Sequence, residues 1–275
     1  MNYPYKYSAI IIEPRSHPAL EFVLNNFTTN LNDDWGFIIF HGNLNYNYII
    51  NIITKIPNYN IRIKLINLNV DNLTIEMYNN LLKNINLYEN IPTETFLIFQ
   101  TDTLINPKYK DLIYEFINYD YVGAPWVFNN QVGNGGLSLR KKSKMIDIIK
   151  NKKYYLEVNK QIFELNKYTY EPNINVNEDI YFSLNEISLK INVGGMMCNI
   201  IICHDIELNK PDFEKAKRFS CETILSEIHF GIHKMYTTNE LQLLYDYFPL
   251  ALELGKLNSN ENCINFLNNK LNISL

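Results

Sequence analysis

At 275 residues the chain is long enough for one large α/β domain or two small ones. Hydrophobic residues make up 47% of it and charged residues 20%, a globular balance that sets disorder aside. The net charge of -4 supplies no cationic field for a phosphate backbone, so nucleic-acid binding is not expected.

Asn, Ile, Tyr and Lys are abundant, whereas Gly and Pro number ten each. That skew fits AT-rich codon usage, as in a parasite or a large DNA virus, and it lowers the worth of any single Asn as a cap or turn signal. Cys198, Cys203, Cys221 and Cys263 form no C-x-x-C pair and no zinc spacing, which fits a reducing, cytoplasmic compartment. The opening MNYPYK enters a short apolar strand and lacks the regions of a signal peptide. No apolar run reaches the roughly 18 residues of a membrane span.

In chain order, Tyr7 to Ile12 reads as a buried strand, and Pro18 to Phe27 as a helix with Leu20, Val23, Leu24 and Phe27 on one side. Trp35 to Phe40, Ile61 to Leu68 and Thr95 to Phe99 read as further strands, with helices predicted over 44–55 and 73–83. Strands separated by single helices predict right-handed crossovers, hence an α/β, Rossmann-like, mostly parallel sheet flanked by helices. Beyond it, a strand is predicted over 120–126, broken by Pro125, and a glycine turn leads from Gly133 into a short strand. Lys141 to Asn151 predicts a helix, Lys152 to Val176 a polar, loop-like insertion, and Asn177 to Ile187 a helix capped by Asn177. Helices over Pro211 to Arg218 and Glu240 to Leu254 complete the order. No linker or repeat interrupts it, so one domain over 1–275 is the simplest organisation.

Ligands of open α/β sheets bind beyond the carboxyl ends of the strands. Three polar segments stand there: Glu13 to Arg15, His41 to Asn43, and Gln100 to Asp102. Asp102, ending an apolar strand, suits a hard divalent cation that bridges a diphosphate; the other reading is a cap for a helix near Pro107. GNGGLSLR at 133–140 allows backbone to approach a ligand closely or to adopt positive φ, or else is an ordinary hairpin turn. It is neither a Walker loop nor a dinucleotide fingerprint. Glu178 and Asp179 place two carboxylates at a helix start, whose dipole would keep both ionised for general-base work, unless they are an ordinary acidic first turn. His229, His233 and Lys234 surround Gly231 and offer a metal ligand and a phosphate partner, against a structural role for either histidine. Trp126 serves either ring stacking on a base or sugar, or the core.

QTD at 100–102, YVGAPW at 121–126, GNGGLSLR at 133–140, NED at 177–179, FSCE at 219–222 and GIHK at 231–234 occur in that order. The series, from about residue 8 to about residue 236, resembles a poorly characterised family related to A-type glycosyltransferases, found in fungi, bacteria and large DNA viruses. The resemblance implies a nucleotide-binding half over about 1–102, an acceptor and catalytic half over about 103–236, and C-terminal helices over 237–275. It implies a nucleotide-sugar donor, a UDP-sugar first among them, a glycan, protein or small-molecule acceptor, and Mn2+ or Mg2+ as cofactor. In such enzymes a D-x-D segment holds the metal; here Gln100 replaces the first acid, leaving Asp102, with His233 as the second ligand. Glu13, Arg15, His41, Asn43, Gln100 and Thr101 would hold the nucleoside or diphosphate. Gly135 and Gly136 would line the sugar pocket, and Lys234 would assist the leaving group. The likeness of the glycine segment and acidic pair to galactosyltransferases implies Asp179 as base, supported by Glu178, and inversion at the anomeric centre. A protein of the same fold that binds nucleotide sugars or glycans without turnover is the alternative.

Overall fold

The computed structural model describes residues 3–127, 131–167 and 174–273. In β1 (Tyr7–Ile12), Ala9 and Ile11 face one side of the sheet and Ile10 and Ile12 the other, all buried. A strand apolar on both faces must lie between two layers. α1 (Leu20–Asn30) returns the chain to β2 (Trp35–His41), and α2 (Tyr46–Ile53) leads on to β3 (Ile63–Asn67). α3 (Ile75–Leu82) precedes β4 (Thr95–Ile98), and β3-β2-β1-β4 pair parallel in that order. Leu20, Val23, Leu24 and Phe27 of α1 join Ile49 and Ile52 of α2 against Ala9 and Ile11. Leu82 of α3 packs with Ile10 and Ile12 on the opposite face.

After β4 the chain turns at Gln100–Asp102 into β5 (Thr103–Ile105), passes a 3-10 stretch at Pro107–Glu115, and re-enters the main sheet as β6 (Tyr121–Val122) and β7 (Ser138–Lys141). β7 runs antiparallel to β4, and β6 antiparallel to β7, so the sheet is mixed but mostly parallel. The expected α/β class is the observed one. α4 (Lys142–Asn151) then covers the second face through Met145, Ile148 and Ile149.

The insertion predicted over Lys152 to Val176 is not a loop where the structure describes it. β8 (Lys153–Val158) and β9 (Gln161–Leu165) form an antiparallel hairpin, while residues 168–173 lie outside the described residues. Asn159 and Lys160 turn it with φ of 49° and 67°, the paired positive values of a type I′ two-residue loop. α5 (Glu178–Ser183) is shorter than the predicted helix, because Glu186 already belongs to β10 (Glu186–Val193). β10 turns into β11 (Met196–Cys203), and β9-β8-β11-β10 make a second, antiparallel sheet whose Tyr154, Ile187, Ile200 and Ile202 pack under the main one.

α6 (Phe213–Phe219) is capped by Asp212, whose side chain accepts from the Lys215 backbone N–H. β12 (Ser220–Cys221) and β13 (Gly231–His233) join β5 in a three-stranded sheet of order β12-β13-β5. The helix predicted over Glu240 to Leu254 is two, α7 (Leu241–Tyr247) and α8 (Leu250–Leu257), since Pro249 has no N–H with which to continue a helix. α9 (Glu261–Ile273) ends the described chain. Among the described residues no helix is long and apolar enough to cross a membrane, and all four cysteines are free thiols.

Candidate active site

The strand order reverses between β1 and β4, and a cleft of about 500 Å3 opens beyond the carboxyl ends of that pair. Glu13 and Arg15 from the end of β1 and Gln100, Thr101 and Asp102 from the end of β4 form its floor. Gly135, Gly136, Glu178, Asp179, His233 and Lys234 complete the walls. Segments as far apart in the chain as Glu13 and Lys234 therefore share one crevice. His41 and Asn43 do not line it. β2 sits one strand beyond the reversal, so His41 is buried with Nδ1 2.8 Å from the Gly42 carbonyl, and the Asn43 amide donates to Asp71.

Every carbonyl of the Gln100–Asp102 turn is held. The Thr103 hydroxyl donates to Gln100 O at 2.7 Å, the Asn258 amide to Thr101 O at 3.1 Å, and the Lys234 backbone N–H to Asp102 O at 2.9 Å. The cap for Pro107–Glu115 is Asn106, not Asp102. Asp102 instead meets His233, because the β5–β13 register sets His233 opposite Thr103. Asp102 Oδ1 lies 3.5 Å from His233 Nε2, and Lys234 Nζ lies 3.6 Å from Asp102 Oδ2. Burial opposes the charge on Asp102, but His233 and Lys234 outweigh it and hold the carboxyl below its usual range. Burial likewise disfavours the His233 imidazolium, yet Asp102 and Glu222 on its two sides raise it to about 9. These contacts are not aligned hydrogen bonds: among the described residues Asp102 Oδ1 and both His233 nitrogens are buried with no hydrogen-bond partner.

Such orphaned donor atoms are the ones a cation would satisfy. Two ligands each about 2.1 Å from one ion stand roughly 3 to 3.5 Å apart, and Asp102 and His233 fit that spacing. Among the described residues no group of three His, Cys, Asp or Glu side chains is set to hold a metal. The pair therefore fits a cation whose remaining positions go to substrate and water oxygens, as magnesium prefers.

The opposite wall is built around Arg140, fully buried on β7. Its guanidinium grips both oxygens of Glu178, at 2.6 and 3.0 Å, and its Nε donates to the Ser138 hydroxyl at 2.9 Å. Ser138 in turn donates to the Gly135 carbonyl at 3.0 Å. Tyr121 and Phe182 lie 4.8 and 5.7 Å from the guanidinium. Asn79 of α3 accepts from the Glu178 backbone N–H at 3.1 Å and so caps α5 in place of Asn177, whose side chain makes no cap bond. Both Glu178 oxygens are thus engaged, whereas among the described residues Asp179 accepts only from backbone, Ile180 N–H at 2.8 Å and Gly135 N–H at 3.4 Å. The helix start is not the dominant influence on Asp179. Burial, then the charge of Glu178, pushes Asp179 up to about 6.

The glycines serve close approach. None of Gly133, Gly135 and Gly136 has a positive φ. A Cβ on Gly135 would collide with Glu178 Oε1, and one on Gly136 with the His233 ring. The second histidine of the cluster turns away: His229 is fully buried, its Nδ1 2.5 Å from Ser226 O, and burial pushes it down to about 4. Trp126 is buried and does not line the cleft.

Arg140, Glu222, Tyr78 and Asn79 are site residues the sequence did not yield. Tyr78 lies beside the cleft and accepts from the Gln100 amide at 2.8 Å, so the residue in place of the first acid is itself positioned. Arg140 and Glu222 stood within the quoted series, yet nothing local distinguished an ion-paired arginine from a surface one.

A family model described as "Protein of unknown function (DUF5672)" matches residues 60–233. No curated protein matches the chain. Among solved structures, galactosyltransferase LgtC in complex with donor and acceptor sugar analogs aligns over 91% of this chain and 94% of that one, with a TM-score of 0.53 and 10% identity. HddC from Yersinia pseudotuberculosis, complexed with GMP-PN, aligns over 51% of this chain and 79% of its own, with a TM-score of 0.37 and 14% identity. S. aureus TarS 1-349 in complex with UDP-GlcNAc aligns over 52% of this chain and 47% of its own, with a TM-score of 0.39 and 14% identity. The alignment with LgtC shows the fold: over nearly its full length the chain shares the architecture of that galactosyltransferase.

Proposed function

We propose that this chain, which belongs to the family described as protein of unknown function (DUF5672), is a glycosyltransferase that moves a sugar from a nucleotide-sugar donor to an acceptor hydroxyl. The observation that carries the reading is the convergence of Arg15, Asp102, Asp179, His233 and Lys234 on one cleft at the reversal of strand order. The fold shared with a galactosyltransferase whose structure holds donor and acceptor sugar analogs supports it. In this reading the chain up to Asp102 binds the donor, a UDP-sugar in the first instance, and the chain after it carries acceptor and catalysis.

Glu13 grips Arg15 through two bonds of 2.8 Å, which aims the half-exposed guanidinium at the cleft and suits a diphosphate. Asp102 and His233 would hold a divalent cation, Mn2+ or Mg2+, which supplies charge stabilisation on the diphosphate when bound. Lys234 stands beside them to neutralise charge on the departing nucleoside diphosphate. Asp179 takes the proton of the acceptor hydroxyl. The freed oxygen bonds to the anomeric carbon as its bond to the diphosphate breaks, and attack opposite the leaving group inverts the centre. A carboxylate raised to about 6 is a stronger base than an ordinary one and still ionised near neutral pH. Gly135 and Gly136 leave room for the sugar between the walls.

Release of nucleoside diphosphate from a panel of nucleotide sugars, with and without Mn2+, tests the reading. Metal-stimulated release with at least one donor is expected. Saturable donor binding with no release under any condition would instead identify a binding protein of the same fold.

A further inference from the structure

The three-stranded sheet brings a second acidic residue to the Asp102–His233 pair. Parallel pairing of β12 with β13 matches Ser220 to Gly231 and Cys221 to Ile232, so the next residue, Glu222, comes level with His233. The antiparallel β13–β5 register sets the other edge of the imidazole beside Asp102. His233 thus lies between two carboxylates, with Nε2 3.5 Å from Asp102 Oδ1 and Nδ1 3.1 Å from Glu222 Oε1. The Glu222 side chain is only 16% exposed and borders the cleft. The distance, though not the angle, already suits an N–H···O bond. An imidazole that ligates a cation needs one nitrogen free of its proton, and a carboxylate accepting from the other nitrogen fixes both tautomer and ring direction. The backbone of Gly136 packs against the same ring.

We propose that Glu222 is a positioning residue that holds His233 as the Nδ1–H tautomer with Nε2 turned toward Asp102, so that the two form one cation-binding edge. Glu222 lies on the far side of the ring from Asp102 and is not itself a ligand. The proposal rests on the reading of Asp102 and His233 as metal ligands given above.

Mn2+ titrated alone into the full chain, with the free ion read by electron paramagnetic resonance, separates the two. Saturable binding is expected in the wild type and its loss in Asp102→Ala. Glu222→Ala is expected to weaken binding about 10- to 100-fold. Glu222→Gln, whose amide oxygen still accepts the Nδ1 proton, is expected to stay within about threefold of the wild type. Wild-type affinity in Glu222→Ala overturns the positioning role alone, as does a loss in Glu222→Gln equal to that in Glu222→Ala. A wild type that binds no Mn2+, or an unaffected Asp102→Ala, overturns the metal reading and the proposal with it. The 15N shifts of the His233 ring in the wild type with Mg2+ need no variant: a protonated Nδ1 and a bare Nε2 are expected, and the reverse tautomer overturns the proposal.

Discussion

On the wall of the cleft formed by α5 and the glycine segment, Arg140 answers both oxygens of Glu178, and Ser138 links Arg140 to the Gly135 carbonyl. On the wall formed by β5 and β13, Asp102 Oδ1 and both ring nitrogens of His233 are buried with no hydrogen-bond partner. The first wall is held by aligned hydrogen bonds, whereas the second is held by charge, with Asp102 and Glu222 on either side of His233 at 3.5 and 3.1 Å. Asp179 stands on the first wall with its carboxylate bordering the cleft, held among the described residues by two backbone N–H groups.

The largest expected effect breaks that division at Asp179. Asp179→Asn keeps the size of the side chain and removes the base, so transfer should fall about 10²- to 10⁴-fold while donor affinity, measured by calorimetry, stays near wild type. Transfer at the wild-type rate would remove Asp179 from the chemistry. Next in size is the paired wall itself. Glu178→Gln or Arg140→Met leaves a buried charge unanswered and should cost about 3–5 kcal/mol in denaturant unfolding; the double replacement should recover part of the loss. A cost below 1 kcal/mol, about the worth of an exposed pair, would show that the pair is not a scaffold. Across the cleft, Gly136→Ala forces a methyl group against the His233 ring and should destabilise by about 1–3 kcal/mol, with weaker Mn2+ binding as the second readout.

The smallest effect is graded by pH. Asp179 must be ionised to accept a proton, so kcat/KM should fall about tenfold per pH unit below its value of about 6. Stability runs the opposite way. A carboxyl raised in the folded state binds its proton more firmly there than in the unfolded chain, so its favourable contribution is complete below the ordinary aspartate value of 3.8 and is lost as pH rises through about 6. The melting temperature of Asp179→Asn relative to wild type should therefore climb from about pH 4 to about pH 7. A flat difference would mean that Asp179 is not raised.

The parallel core was legible because β1, β2 and β4 are apolar on both faces, a pattern that only a strand between two helix layers needs. The β8–β9 hairpin was not. Its turn is Asn159–Lys160, without the glycine that usually marks such a loop, in a chain where Asn carries little turn information. The predicted helix past Asn177 yielded from Glu186 onward to pairing with β11, a tertiary preference that local spacing does not encode. At the site, Asp102, Asp179, His233 and Lys234 line the cleft, and each stands after a strand or at a helix start, positions the sequence displays. His41 and Asn43 met the same description, but the position of β2 in the sheet, invisible in one dimension, turned them away. Glu222 escaped notice because its meaning comes only from the strand beside it.

Asn45 is wholly buried, and its amide donates to the carbonyls of Glu13 and Arg15 at 2.8 and 2.9 Å while its oxygen accepts the Gly42 N–H at 2.9 Å. The segment bearing Arg15 is therefore frozen when the chain folds. A ligand arriving at that guanidinium meets a ready-made contact and is spared the entropy of ordering a loop, which for each rotamer-rich side chain immobilised on binding amounts to about 0.5–1.5 kcal/mol. Loosening that clamp from behind, as Asn45→Ala would, should slow capture of an anionic ligand without touching any atom that contacts it.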